Sequence, residues 1–206
     1  MNSDQLQPIS SPTAVKIVDA AGHLFLQKGY KAVSISDIIR AAEVTKPTLY
    51  YYFADKEELF VQMGLRVLAE MGERLRHAAA TPGDTTARLR ALAAVLMANR
   101  DTDMRMLRHE MFEHLSNSNR ERLATAFFGQ LVAPIVGVME RGLADGELAH
   151  HSASTLAQMF ISIAEAFQEF APAATANWSD TIDPLFGSPT LNVEVLINLF
   201  LHGVAA

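Results

Sequence analysis

The stretch SISDIIRAAEVTKPTLYYYFADKEEL, from Ser34 to Leu59, decides the fold of this chain. Isoleucines at helical spacing open it, a compact polar and aromatic segment follows, and an acidic helix start closes it. Only three residues separate the first two segments, which is the connection typical of a helix-turn-helix. The predicted helices cover 35–42 and 46–52, and a third begins at 56.

Three candidate N-caps set these boundaries. Ser34 has Asp37 three residues later, Thr45 precedes the second helix, and Asp55 precedes the third with Glu58 in the position of a capping box. Such side chains accept hydrogen bonds from the backbone N–H groups of a first helical turn. Closely spaced caps of this kind indicate short, well-defined helices.

The second helix has the side-chain chemistry of a nucleic-acid contact. Hydroxyls and cations near a helix N-terminus contact phosphates and base edges when that helix lies in the major groove. The alternative is that its tyrosines pack on the protein and its lysine is an ordinary solvated charge. The outward face is predicted to carry Lys46, Thr48, Tyr51 and Tyr52, with Leu49 and Phe53 facing inward.

Ile17 to Phe60 resembles the DNA-binding domain of the TetR family of bacterial transcriptional regulators. The resemblance lies in IVDAAGHLFLQKGY (17–30), SISDII (34–39), VTKPTLYYYF (44–53) and DKEELF (55–60). Glu43 departs from the glycine usual in the turn, and Pro47 stands where glycine is commoner. The resemblance implies contacts with double-stranded operator DNA, with Tyr51 and Lys56 on its backbone. Lys46 and Thr48, near the start of the second helix, are placed for base edges as well as phosphates. The full DNA-binding set expected is Ser34, Ser36, Arg40, Thr45, Lys46, Pro47, Thr48, Tyr50, Tyr51 and Lys56.

Composition limits the other classes of protein. The 206 residues are 50% hydrophobic and carry a net charge of −6, with no cysteine for a disulfide, a zinc–thiolate site or a thiol nucleophile. Six basic and seven acidic side chains up to Phe60 nearly cancel, so the acidic excess lies in the rest of the chain. No signal peptide is recognisable, and no apolar run is expected to span a bilayer, so we expect a cytoplasmic protein without a membrane partner.

Helical periodicity continues along the whole chain, and sustained alternation is absent, so the fold class predicted is all-α with about nine helices. An interior proline, Pro134, should kink or split the seventh helix. We expect a disordered arm at 1–12, a helix-turn-helix domain at 13–60 and a helical effector-binding and dimerisation domain at 61–206. Besides the helices named above, those expected are 13–28, 56–80, 85–99, 102–115, 120–141, 152–170 and 190–204, with a loop at 171–189.

The second domain is rich in methionine and phenylalanine, which fill cores or line pockets for apolar ligands. A regulator resembling the TetR family would bind a small apolar effector there and form a homodimer through its last two helices. The tentative pocket residues are Met71, Leu75, Met97, Met104, Met111, Phe112, Phe127, Phe128 and Phe160. The tentative dimer residues are Phe160, Ile163, Phe167, Leu196, Leu199 and Phe200.

Catalytic and metal chemistry find little support in the sequence. His109 with Glu113, and Glu110 with His114, are spaced as surface pairs on one helix, and a metal site would need a matching cluster elsewhere. We therefore expect no metal, no cofactor and no enzyme activity. The hypothesis is a DNA-binding regulator, most simply a repressor released by its effector. An architectural DNA-binding protein and a helical enzyme are the alternatives.

Overall fold

The computed structural model describes residues 11–98, 104–149, 151–170 and 192–203, without the side chains of 104–108 and 168–170. The described residues are helical and contain no strand. This confirms the all-α class. The helices are α1 (Pro12–Ala32), α2 (Ile35–Ala42), α3 (Lys46–Tyr52), α4 (Lys56–Ala79), α5 (Thr85–Ala98), α6 (Met104–His114), α7 (Asn117–Phe127), α8 (Ala133–Ala144), α9 (Ala153–Phe170) and α10 (Val193–His202), with a π-helical segment, Phe128–Val132, between α7 and α8.

The chain forms two compact units that alternate along the sequence. The first unit combines described residues of 1–69 and 102–126, and the second combines those of 70–101 and 127–206. Helices α6 and α7 therefore belong to the same unit as the helix-turn-helix. The expected division by role, at 13–60 and 61–206, stays a prediction. The arm residues 1–10 and the expected loop at 171–189 lie outside the described residues.

The first three helices pack around a small apolar core. Ile17, Ile38 and Leu49, one from each helix, are fully buried. The ring of Phe25 meets that of Phe60 edge-on, with centroids 5.3 Å apart, so the start of α4 closes the same core. Burying these side chains supplies the driving force that such short helices lack in isolation.

Helix α1 begins one residue earlier than predicted, at Pro12, and bends where the sequence predicted its end. Gly29 has φ 76° inside the helical run, a conformation that glycine adopts without a steric penalty. The turn after it leads through Val33, which is buried, into the cap of α2. The predicted stop at Gly29 therefore corresponds to a kink.

The expected break near Pro134 takes the form of a π-helical segment. In this segment the N–H of Ala133 donates to the carbonyl of Phe128, five residues back, and Pro134 falls in the first turn of α8. Since proline cannot donate to the carbonyl four residues before it, a regular α-helix could not continue unchanged through this point. The helical run also starts at Asn117 instead of 120, because 117–119 continue into α7.

The run Asn117–Ala144 corrects one expectation. By length and composition it could cross a membrane, with a mean hydropathy of 1.5, although a single such helix is weak support for a membrane protein. The expectation that no apolar run approaches that length is therefore wrong. Five of its apolar side chains are instead buried within the protein, Leu123 in the first unit and Leu131, Ile135, Val138 and Met139 in the second.

The second unit has its own core and polar ties. Leu89 and Leu92 of α5, Met139 of α8 and Phe160 of α9 are fully buried. The guanidinium of Arg90 forms two hydrogen bonds, of 2.6 and 3.1 Å, with the carboxylate of Glu194 and so joins α5 to α10. Arg141 donates to the carbonyl of Ala79 at 2.8 Å and thereby caps the end of α4.

Candidate nucleic-acid interface

The turn between α2 and α3 is held from both sides. Ser34 caps α2: its side chain accepts from the N–H of Asp37 at 3.2 Å, and the Asp37 carboxylate accepts from the N–H of Ser34 at 3.1 Å. The Ser34 hydroxyl, which donates to the same carboxylate at 2.6 Å, and the Ser34 N–H lower the pKa of Asp37, with a smaller effect of Arg40. Both halves of the predicted capping box are therefore present.

Glu43 ends α2 in the left-handed region, with φ 49° and ψ 47°, where glycine is usual in the family it resembles. Its carboxylate binds the ammonium of Lys16 at 2.9 Å, and this contact lowers the pKa of Glu43. The turn thus keeps the left-handed conformation despite the Cβ, and a side chain that glycine lacks ties it to α1.

Helix α3 presents a polar and aromatic surface over a buried base. Thr45 caps it, accepting from the N–H of Thr48 at 3.3 Å, and the two hydroxyl oxygens lie 2.7 Å apart. Leu49 is fully buried, whereas Tyr50 is 45% and Tyr51 81% exposed. A tyrosine this exposed contributes little to packing, so its hydroxyl is available to a partner.

Tyr52 does not share that surface. It is half-buried, and its hydroxyl accepts a hydrogen bond from the hydroxyl of Ser11 at 3.0 Å. The ring of Tyr51 meets the ring of Tyr52 edge-on at 4.9 Å. The prediction that Tyr52 belongs to the outward face is therefore corrected, because this side chain fastens α3 to the start of α1.

Lys56 is engaged within the protein. Its ammonium donates to the carbonyls of Tyr30 and Val33, at 3.0 Å each, and lies 4.2 Å from the centre of the Tyr30 ring. Burial lowers the pKa of Lys56, and nearby Glu110 partly opposes this. The expected contact with the DNA backbone stays a prediction, since in the free protein this charge holds the α1–α2 connection.

The other DNA-binding residues expected from the sequence lie near α2 and the start of α3. Ser36, Lys46 and Pro47 are exposed, and the ammonium of Lys46 lies 5.9 Å from the centre of the Tyr50 ring. Arg40 is exposed and forms a loose ion pair with Asp37 at 3.4 Å. The structure thus places exposed hydroxyl groups, the tyrosines Tyr50 and Tyr51, and the cations Arg40 and Lys46 on the adjoining helices α2 and α3.

A polar cluster beneath Tyr30 was not anticipated. The ring of His114 stacks on Tyr30 at 5.6 Å, and its Nε2 lies 3.2 Å from the Glu110 carboxylate. The side chains of Glu110 and His114 are only 16% and 14% exposed, so the expected surface pair is largely buried. Burial, followed by the charges of Glu57 and Asp55, raises the pKa of Tyr30 to about 12. Within the described residues no group of three or more His, Asp or Glu is placed to hold a metal ion.

The tentative pocket residues have very different surroundings. Met71, Leu75 and Phe160 are buried, and Met97, Met111 and Phe127 are half-buried. Phe112 and Phe128 are 58% and 62% exposed, so they do not fill a core of their own chain. The side chain of Met104 lies outside the described residues. Their role in binding an effector stays a prediction.

The tentative dimer residues divide in the same way. Phe160 and Leu196 are fully buried and Phe167 nearly so, which leaves them no surface for direct contact with a partner. Ile163, Leu199 and Phe200 are half-buried, and the ring of Phe200 meets that of Phe160 edge-on at 5.1 Å. Among the described side chains of α9 and α10, the exposed large apolar ones are Met159 and Val195, which were not among the expected dimer residues.

Comparison with known proteins matches this geometry to a family. Residues 17–63, which include the whole helix-turn-helix, match the family described as bacterial regulatory proteins, tetR family. The chain is 35% identical over 94 residues to the HTH-type transcriptional regulator AcrR of Shigella flexneri. The helix-turn-helix region of this chain is therefore that of the TetR family.

The TetR-family relatives differ in how much of the chain they cover. The match with AcrR spans 45% of this chain and 44% of AcrR, which is less than half of either protein. A bacterial regulatory protein of the TetR family from Rhodococcus RHA1 superposes over 96% of this chain and 99% of its own, with a TM-score of 0.72 at 18% identity. FadR of Bacillus subtilis, solved in complex with stearoyl-CoA, covers 93% and 99%, with a TM-score of 0.69 at 16% identity. These two structures show that the fold extends beyond the helix-turn-helix.

Proposed function

We propose that this protein is a homodimeric, sequence-specific DNA-binding regulator, and that it acts as a repressor released from its operator by a small, largely apolar effector. The observation that carries the proposal is the surface of α3. Tyr51 is 81% exposed on a helix whose Leu49 is fully buried, and Lys46 and Thr48 stand at the helix start. A short helix fixed by its inner face and polar on its outer face has the geometry required for the major groove.

The charge distribution favours specific over non-specific binding. The chain is acidic overall. In the helix-turn-helix domain, called the head below, Lys16 is paired with Glu43 and Arg40 with Asp37. Non-specific affinity depends on neutralised phosphates, so it should be weak here. Two copies of α3, the recognition helix, one from each protomer and about one turn of DNA or a multiple of it apart, would supply the remaining affinity through groove contacts. A dimer is therefore part of the proposal.

The dimer would form on the exposed face of α9 and α10. Met159 and Val195 provide exposed apolar area there, supported from beneath by the buried Phe160 and Leu196. Replacing Met159 by glutamate should dissociate the dimer with little effect on the core. Sedimentation at micromolar concentration tests this, and a wild-type monomer would contradict it.

The effector is proposed to bind in the second helical domain. Support comes from its methionine and phenylalanine content and from the acyl-CoA bound by the Bacillus subtilis protein of the same fold. An architectural DNA-binding protein would show no ligand-dependent release. A helical enzyme would need a catalytic constellation that the described residues do not suggest.

The first experiment selects DNA duplexes from a randomised library with the wild-type protein and measures affinity for the selected duplex by fluorescence anisotropy. Tyr51→Phe, which removes only the hydroxyl, should weaken binding, and so should Lys46→Gln. The matched control is Arg88→Gln, which removes the same charge from the second unit. Equal losses for Lys46→Gln and Arg88→Gln, or failure to enrich any sequence, would contradict specific binding through α3.

The second experiment tests ligand release. Fatty acids and acyl-CoA thioesters are screened by thermal shift, because a ligand that binds only the native state raises its stability. Any hit is then titrated with and without saturating selected duplex. Coupling of about 1–3 kcal/mol, equal in both directions, is expected for an effector that releases DNA. Identical dissociation constants would instead favour the architectural alternative.

A further inference from the structure

Three consecutive residues at the start of α4 bind two different parts of the first unit. Lys56 donates to the carbonyl of Tyr30, in the last turn of α1, and to that of Val33, in the α1–α2 connection. Glu57 and Glu58 turn to the opposite partner, α7, which lies some sixty residues further along the chain. The first turn after the helix-turn-helix is therefore a junction between the head and α7.

Glu57 holds the start of α7. One of its carboxylate oxygens accepts from the N–H of Ser116 at 2.7 Å, from the Ser116 hydroxyl at 2.6 Å and from the Asn119 amide at 2.8 Å. Burial alone would raise the pKa of Glu57, but these hydrogen bonds outweigh it, so the pKa is below its usual value. The carboxylate thus satisfies the N–H of Ser116 at the N-terminus of α7, where a negative charge is also favoured by the helix dipole.

Glu58 and Arg122 form a two-point ion pair beside this cap. Their nitrogen–oxygen distances are 2.7 and 3.2 Å, and both side chains are about three-quarters buried, with exposures of 25% and 26%. Arg122 also donates to Asn119 at 2.8 Å, and Gln62 donates to Glu58 at 2.7 Å. A bidentate, partly buried pair fixes both position and angle more strongly than an exposed one.

The helices also approach each other closely next to these contacts. A Cβ at Gly64 of α4 would lie only 2.9 Å from Cδ2 of Leu123, which is itself buried. Helix α7 therefore packs directly on α4. Only three residues separate the end of α3 from α4, and one of them, Phe53, is buried, so the linker has little freedom to absorb a displacement of α4.

We infer that α7 positions the recognition helix, with Glu57, Glu58 and Arg122 as positioning residues for DNA binding. These side chains do not touch DNA. They fix the first turn of α4 between the α1–α2 connection and α7, and thereby fix the angle at which α3 is presented. The inference rests on the proposed function and extends the set of residues that control DNA binding beyond residues 17–63.

A purely electrostatic effect and a loss of positioning predict opposite changes in DNA affinity for Glu58→Gln. Removing a negative charge by Glu58→Gln should strengthen binding to a polyanion, whereas Arg122→Gln should weaken it. Loss of positioning weakens binding in both variants. Glu121→Gln is the matched control, because it removes the same charge from an exposed position on α7, next to Arg122.

The experiment measures the affinity of each variant for the duplex selected by the wild-type protein, well below the melting temperature. Glu58→Gln and Arg122→Gln should each lower the DNA affinity by about fivefold or more. The double variant should lose little more affinity than either single variant, because the two residues act as a pair. The charge swap Glu58→Arg with Arg122→Glu should recover most of the lost affinity. Amide hydrogen exchange of residues 46–52 should accelerate in the single variants and not in Glu121→Gln. A role confined to stability would lower the melting temperature and leave both readouts unchanged.

Ser116→Ala and Asn119→Ala provide a charge-neutral route to the same answer if an ion-pair variant does not fold. Each removes a donor to Glu57 and should weaken DNA binding in the same direction. Tighter binding by Glu58→Gln together with weaker binding by Arg122→Gln would overturn the inference in favour of simple electrostatics. If the wild-type protein selects no sequence, the proposed function fails and this assignment fails with it. Selection of a sequence, followed by unchanged affinity in all variants, overturns the positioning role alone.

Discussion

Replacing Gly72 by alanine tests the packing of α4 on the π-helical segment within the second unit. A Cβ at Gly72 would lie 2.5 Å from the Gln130 side-chain oxygen, 2.9 Å from its Cβ and 3.0 Å from its backbone oxygen. The Gln130 side chain could move away only by losing the 2.6 Å hydrogen bond that it accepts from Arg76. The Gln130 backbone oxygen cannot move away by a change of rotamer. Overpacking of this kind costs about 1–3 kcal/mol, against a gain of about 1 kcal/mol from helix propensity.

The matched control is Gly137→Ala in α8, where a Cβ would meet nothing within 4 Å. This variant should gain the full propensity term of about 1 kcal/mol. The difference between the two variants then isolates the packing cost of about 1–3 kcal/mol. At about 2–4 °C per kcal/mol for a chain of this size, Gly137→Ala should melt about 2–12 °C above Gly72→Ala. Calorimetry at one protein concentration measures this difference, and equal melting temperatures would refute the packing argument.

Three further predictions concern the first unit. Because the pKa of Tyr30 is raised to about 12, the native state holds the phenol proton more tightly than the unfolded chain does. The free energy of unfolding should therefore fall as pH rises above about 10, and urea titrations should show a smaller fall for Tyr30→Phe. Lys56→Gln should lower the free energy of unfolding of the DNA-free protein by about 1–2 kcal/mol, because it removes the carbonyl and ring contacts. If Lys56 also reaches a phosphate, the salt dependence of the DNA affinity of this variant should decrease in slope by about one. Thr48→Ala should change sequence preference by about 1–3 kcal/mol at particular base pairs, and equal losses on every duplex would show that Thr48 reads no base.

Local capping explains why the helix-turn-helix could be predicted so closely from the sequence. Ser34 and Thr45 each satisfy backbone groups three residues away, so the boundaries of α2 and α3 depend only on adjacent residues. Asp55 caps α4 in the same way, by accepting from the N–H of Glu58 at 2.8 Å. The second half of that predicted capping box differs, because the carboxylate of Glu58 binds Arg122 instead.

Contacts between distant residues account for what the sequence did not predict. The spacing of Glu110 and His114 indicates that they share a helix face but not that Tyr30 covers that face. Lys56 has the same sequence signature whether it points to DNA or to the carbonyls of the α1–α2 connection. The sequence likewise identifies a proline-induced break at Pro134 but leaves its form open, because a kink, a split and a π-helical segment all remove the impossible hydrogen bond.

The π-helical segment Phe128–Val132 also sets the helical phase of everything after it. One residue accommodated inside a helix rotates the following side chains by about 100° about the axis, since an α-helix turns once in 3.6 residues. The buried residues Leu131, Ile135 and Met139 follow one another at intervals of four through this point. An alignment that places gaps only in loops would shift α8 by one position and put Pro134, which is half-buried, where Ile135 belongs. Relatives lacking this segment should align correctly only with a one-residue gap inside the helix, and equivalent residues of α8 should be assigned on that basis.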